Sequence, residues 1–125
     1  MSTFTLDLSK FGAKAIGNAE KVVRKIALDM HSRIVERSPV DTGRFRANNS
    51  VSIGGNPGTT TTDTGIPNPN VDGFQIGQVV FLYNNLEYAM KLEMGHSKQA
   101  PSGVYRLSFN EVASNVGAYA AEVNR

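Results

Sequence analysis

Apolar residues between Lys10 and Arg37 recur at spacings of three and four. Ala15, Ala19, Val22, Val23, Ile26, Ala27, Met30, Ile34 and Val35 make one stripe, and most charged residues fall off it. This periodicity predicts an amphipathic helix. At 1.5 Å per residue its roughly 28 residues would span about 42 Å, long enough for part of the stripe to pack on another subunit. Gly12 and Gly17 weaken its start, so the firm part is expected from about Asn18. Ser38-Pro39 stops it, because proline lacks an N–H and disfavours helical backbone at the residue before it. Asp41-Thr42-Gly43 then reads as a turn, with Gly43 supplying a positive φ.

Beyond the turn the period shifts to two. Phe45, Ala47, Val51 and Ile53 predict a strand over 44–53, interrupted on its apolar side by Asn48-Asn49-Ser50 as a bulge or bend. Phe74 to Tyr83 is the clearest strand pattern, followed by a turn at Asn84-Asn85. Between them, residues 54–73 hold five glycines, three prolines and five threonines and little that can pack. They read as an extended flexible hairpin tip, and such a segment is functional or disordered. Leu86 to Gly95 predicts a short helix placing Tyr88, Ala89 and Leu92 on one side. After a loop at 96–103, apolar positions from Val104 to Val123 predict one C-terminal amphipathic helix. At the other end, residues 3–8 read as an edge strand or arm, with Ser9 a helix cap. The predicted fold is α+β, with a long N-terminal helix and a C-terminal helix packed on a small antiparallel sheet with a long hairpin loop. Residues 1–125 read as one domain.

Composition narrows the function. The chain has 125 residues, no cysteine and a net charge of +2. Disulfides and thiolate metal sites are thereby excluded. No apolar run approaches the roughly 20 residues of a membrane span. No signal-peptide pattern is visible, so a cytoplasmic origin is the default expectation. The charge is polarised: residues 1–50 hold nine Lys/Arg against five Asp/Glu, and residues 51–125 hold four against six. Such polarity suits stacking on a partner or copy, or facing a polyanion. A nucleic-acid-binding module using the first helix is the alternative function, with Lys14, Lys21, Arg24 and Lys25 as possible DNA-facing residues. The absence of tryptophan and of aromatics among these cations argues against it.

No enzyme pattern emerges. Asp41-Thr42-Gly43 and Asp63-Thr64-Gly65 invite comparison with aspartic proteases, which set two such carboxylates side by side. The first runs into Arg44 and the second lies in a polar loop, so both read as turns. His31 falls within the helix and is expected to pack or face solvent. His96 adjoins Ser97, and neighbouring residues cannot form a nucleophile–base pair. A hydrolase built on Asp41 or His96 would need a pocket joining them. No metal-ligand spacing and no phosphate-binding glycine loop occur, so no catalytic residue, metal or cofactor is expected.

Two stretches carry a resemblance. Ser38-Pro39-Val40-Asp41-Thr42-Gly43-Arg44-Phe45-Arg46-Ala47, after a long amphipathic helix, resembles the signature of tail-completion or neck proteins of tailed bacteriophages, the family named after gene product 10 of phage HK97. Tyr88-Ala89, then Leu92-Glu93-Met94-Gly95 and Pro101, is similar to that family's second pattern. Met94-Gly95-His96 stands where Gly-Thr more usually follows the glutamate. The resemblance covers residues 10–124, with 54–73 as the variable part. It implies a non-enzymatic virion protein without cofactor, assembled in the host cytoplasm. Its place would be the head–tail junction, as a homo-oligomeric ring, expected as a hexamer, around the DNA channel. Neighbouring neck, tail-terminator or tail-tube proteins would be its partners. The motif residues are then Pro39, Asp41, Thr42, Gly43, Arg44, Arg46, Tyr88, Glu93, Gly95 and Pro101. An ion pair of Glu93 with Arg44 or Arg46 is one way the two stretches would be joined, and plain exposure of the charges is the other.

Overall fold

The computed structural model describes residues 16–95, 99 and 103–123. Readings that fall on the arm at 3–8, Ser9, Lys14, His96, Ser97 and Pro101 lie outside them. The first described helix, α1 (Ile16–Arg37), follows the apolar stripe. Val23, Ile26, Ala27, Met30 and Ile34 are fully buried. The stripe from Ala19 to Ile34, expected to pack partly on another subunit, is covered by this chain's own sheet and C-terminal helices. Burial of each large apolar side chain, worth about 1.5–3 kcal/mol, holds α1 there. The helix ends where Ser38-Pro39 predicts. The Ser38 hydroxyl donates to the Ile34 carbonyl at 2.7 Å, satisfying one of the last free acceptors.

The predicted strand over 44–53 is corrected in its first half. Arg44–Ala47 is a short helix, α2. Gly43 stands at φ +94° and accepts from Ala47 N at 2.9 Å, while Asn48 N bonds Arg44 O at 3.1 Å. These local bonds outweigh the two-residue alternation of Phe45 and Ala47, and both side chains are buried all the same. Only Ser50–Ile53 forms a strand, β1.

The second predicted strand is likewise shorter. Phe74 is buried, but Gly77 at φ +98° turns the backbone, and Gln78 N bonds Gln75 O at 3.1 Å. The strand β2 is Val80–Tyr83, antiparallel to β1 with Val51 opposite Leu82 and Ile53 opposite Val80. These four share one face and pack toward α1. The connection at 54–79 also contributes more to the core than its composition suggests, since Val71 and Phe74 are each 1% exposed.

Then come α3 (Ala89–Glu93), α4 (Tyr105–Ser114) and α5 (Val116–Val123). Gly95 ends α3 at φ +89°. The single C-terminal helix expected from the periodicity is two. They break at Asn115, whose amide donates to the Glu111 carbonyl at 3.0 Å, as asparagine does when it competes with the helix ladder. Both helices pack on α1. The fold is α+β, with helices around a two-stranded antiparallel sheet. No described helix is long and apolar enough to cross a membrane.

Candidate functional site

Of the motif residues, Pro39 to Arg46 lie at the joint between α1 and the sheet with Tyr88 beside Phe45, while Glu93 and Gly95 lie at the end of α3. Pro39 is buried and Asp41 and Thr42 are exposed, with the Thr42 hydroxyl accepting from Arg44 N at 3.2 Å. Gly43 lies against the second Asp-Thr-Gly triplet: a Cβ there would sit 2.4 Å from the Thr64 carbonyl oxygen. The two triplets therefore do meet, but through glycine and a backbone carbonyl. Asp41 and Asp63 both stay exposed.

Arg44 and Arg46 hold the same loop. Arg44 Nε donates to Thr61 O at 3.1 Å, and Arg46 Nη2 to Thr64 O at 3.2 Å. Arg46 Nε is buried without a hydrogen-bond partner. Asn48 adds a two-point clamp, accepting from Thr61 N and donating to Thr61 O, each at 2.9 Å. Upstream, Asn56 and Asn85 exchange amide bonds of 2.9 and 2.8 Å, and Asn85 also donates to Thr59 O at 3.1 Å. Residues 56–64 are thus tied to the protein surface by side-chain amides and guanidinium groups. Tyr88 is half-exposed, its ring centroid 6.2 Å from that of Phe45 in a tilted pair.

Glu93 corrects the pairing expected for it. It meets neither Arg44 nor Arg46. Its buried carboxylate accepts from Val104 N at 3.1 Å, Tyr105 N at 2.7 Å and Arg106 N at 3.1 Å. Three free donors at the N-terminus of α4 are satisfied by a charge from α3, where the helix dipole favours an anion. Gly103, at φ +88°, permits the approach, because a Cβ there would meet the Glu93 carbonyl oxygen at 2.5 Å and carboxylate at 2.8 Å. Loss of three charge-assisted bonds in Glu93→Ala is expected to cost about 3 kcal/mol, read as a lowered urea midpoint. The exchange Arg46→Glu with Glu93→Arg should rescue nothing. An alanine variant as stable as the parent would refute the capping role.

Beneath the joint lies a buried polar network centred on Asn49, which is 0% exposed. Its amide donates to the Ser38 hydroxyl at 2.6 Å. Its side-chain oxygen accepts from Asn84 at 3.0 Å and from the Tyr105 hydroxyl at 2.9 Å. Its backbone carbonyl lies 2.9 Å from His31 Nε2, which therefore carries the proton. Burial holds the His31 pKa below its usual value of 6.5. Below pH 6.5 the unfolded chain takes up a proton that the folded chain refuses. Stability from this residue is thus full above that pH and falls until the lowered folded pKa is reached. The urea midpoint should lose part of its acid slope in His31→Gln, and an unchanged slope would refute the linkage.

The structure also places the cations. Lys21 is exposed. Arg24 donates to Phe74 O at 3.0 Å, and Lys25 pairs with Glu122. Farther along α1, Arg33 and Arg37 both bind Glu111, whose pKa they lower to about 2. Among the described residues no group of His, Asp and Glu has the arrangement of a metal site. Comparisons with protein-family models, with curated proteins and with solved structures find no match to this chain.

The asparagines are what sequence reasoning missed. A signal existed: Asn48-Asn49 precedes one strand and Asn84-Asn85 follows the other, so antiparallel pairing brings the two dipeptides together.

Proposed function

We propose that this chain is a structural protein of a tailed bacteriophage, a tail-completion or neck subunit acting in a ring at the head–tail junction. The reading starts from the resemblance over residues 10–124. The observation that carries it is how the motif side chains are used. Gly43, Arg44, Arg46 and Glu93 spend their chemistry on backbone carbonyls and amides that set the angles between α1, the sheet and α4. Residues so used fix a shape, which is what an assembly subunit presents to its neighbours. The part of the 54–73 segment around Ile66, which is 71% exposed, is then what faces a neighbouring subunit or the lumen. In this reading the protein resides in the virion after assembly in the host cytoplasm.

The nucleic-acid module is less well supported. Of the described candidates, Arg24 donates to the Phe74 carbonyl and Lys25 faces Glu122, whose carboxylate lowers the positive charge offered to phosphate. Light scattering and electron microscopy of the purified protein test the proposal. Closed rings with a central opening are expected. Monomers at every concentration, alone and mixed with phage tails lacking this subunit, would overturn it.

A further inference from the structure

Helix α5 packs on α1 as α4 does but buries fewer of its residues. Only Tyr119 is buried on it, with Val116, Ala120 and Val123 partly covered. A cleft of about 790 Å³ runs along its seam with α1, between Leu28, Val71 and Ala118. Polar links across the seam include Lys25 to Glu122 and the Tyr119 hydroxyl to Asp29. The first is an ion pair with side chains 35% and 59% exposed, a weak tie in water. By contrast α4 is anchored by the Glu93 cap and by Tyr105, Ser108 and Val112, all buried. One residue separates the two helices. Asn115 stands at φ −108° and ψ 6°, about 45° from helical backbone in each angle. The apolar spacing runs on through it with the period of a single helix.

We propose that Asn115 is a hinge, and that α5 is exchanged between copies of this chain. When Asn115 turns helical, residues 105–123 form one straight helix and α5 leaves its own α1. The apolar side of α5 and the vacated α1 surface are then complementary by construction. The occupant is α5 of a second copy, which remakes the Tyr119–Asp29 and Glu122–Lys25 links between chains. Exchange of this kind is a low-cost route to association, and passed head to tail it gives a ring where the rotation between copies closes. An isolated α5 is too short to stay helical, so continuity with α4 supplies its order during transfer. The proposal deepens the ring reading and rests on it for the oligomer.

The absence of cysteine makes the test unambiguous. Lys25→Cys and Glu122→Cys are placed in chains of different size, mixed under assembly conditions and joined with a short bismaleimide. A covalent product of one long and one short chain is expected, well above the product of two like chains. Asn115→Ala, which removes the amide bond to Glu111 and favours helix, should raise it several-fold. Next, the double variant Lys25→Cys with Glu122→Cys is joined within single chains at low concentration. It should then fail to form rings that the unjoined variant forms. Rings from the joined chain would overturn the exchange and leave the ring reading standing. Failure of the parent chain to assemble would overturn the ring reading and the exchange with it.

Discussion

Replacing Asn49 with alanine is expected to lower the unfolding free energy by about 4 kcal/mol, from lost bonds of about 1 to 1.5 kcal/mol each. The side chain is fully buried and joins groups from four parts of the chain: Ser38 after α1, Arg46 O on α2, Asn84 after β2, and Tyr105 on α4. Truncation removes the acceptor of the Asn84 amide and of the Tyr105 hydroxyl, and the donor to Ser38, in a site without bulk water to replace them. Burial also raises the Tyr105 pKa well above its usual value, so the phenol is a hydrogen donor at neutral pH. Asn49→Asp should be worse than alanine, because it buries a charge and loses the donor. Tyr105→Phe should cost only about 1 kcal/mol, and its effect should largely vanish in the Asn49→Ala background. Urea unfolding of the parent and these four variants checks this. An alanine variant within 1 kcal/mol of the parent, or strict additivity, would show that the network does not act as a unit.

Helix α1 was legible from sequence because one stripe, one stop and one core face agree. Seven residues from Ala19 to Ile34 repeat at helical spacing, and Ser38-Pro39 closes the pattern. The strand edges were not legible. Phe45 and Ala47 alternate like a strand yet sit in a helical turn, since Gly43 at φ +94° starts a local bonding pattern that period-two reading ignores. Phe74 and Ile76 likewise precede a glycine turn. The break at Asn115 was invisible because hydrophobic spacing continues across it. At the site, the sequence located Gly43 and Glu93 but not their partners. Glu93 binds backbone amides ten or more residues away, and backbone donors leave no mark in composition. Charge matching pointed to Arg44 and Arg46, while a helix start without its own cap was the better partner.

Gly43→Val is expected to be the most damaging change in the joint itself. Two costs act together. A side chain at φ +94° strains the backbone by about 1–2 kcal/mol, more for a β-branched residue. Its Cβ would also lie 2.4 Å from Thr64 O, a backbone atom that cannot step aside as a flexible side chain would. Relief requires the loop to lift, which breaks the bond from Arg46 to Thr64 and loosens the hold of Arg44 and Asn48 on Thr61. The summed loss is about 3–4 kcal/mol, taking each of these bonds as about 1 kcal/mol. Gly43→Ala should retain most of it, because the clash is at Cβ. Arg46→Ala, which loses one bond without a clash, should cost about 1 kcal/mol. This order separates a steric joint from a merely polar one. Proteolysis at 57–66 should quicken in the valine variant under conditions where its α1 core stays folded. Ring formation should fail there too, since the loop and the angle it braces are what neighbours would meet. A valine variant with parental stability, loop protection and assembly would show that Gly43 is a replaceable turn residue.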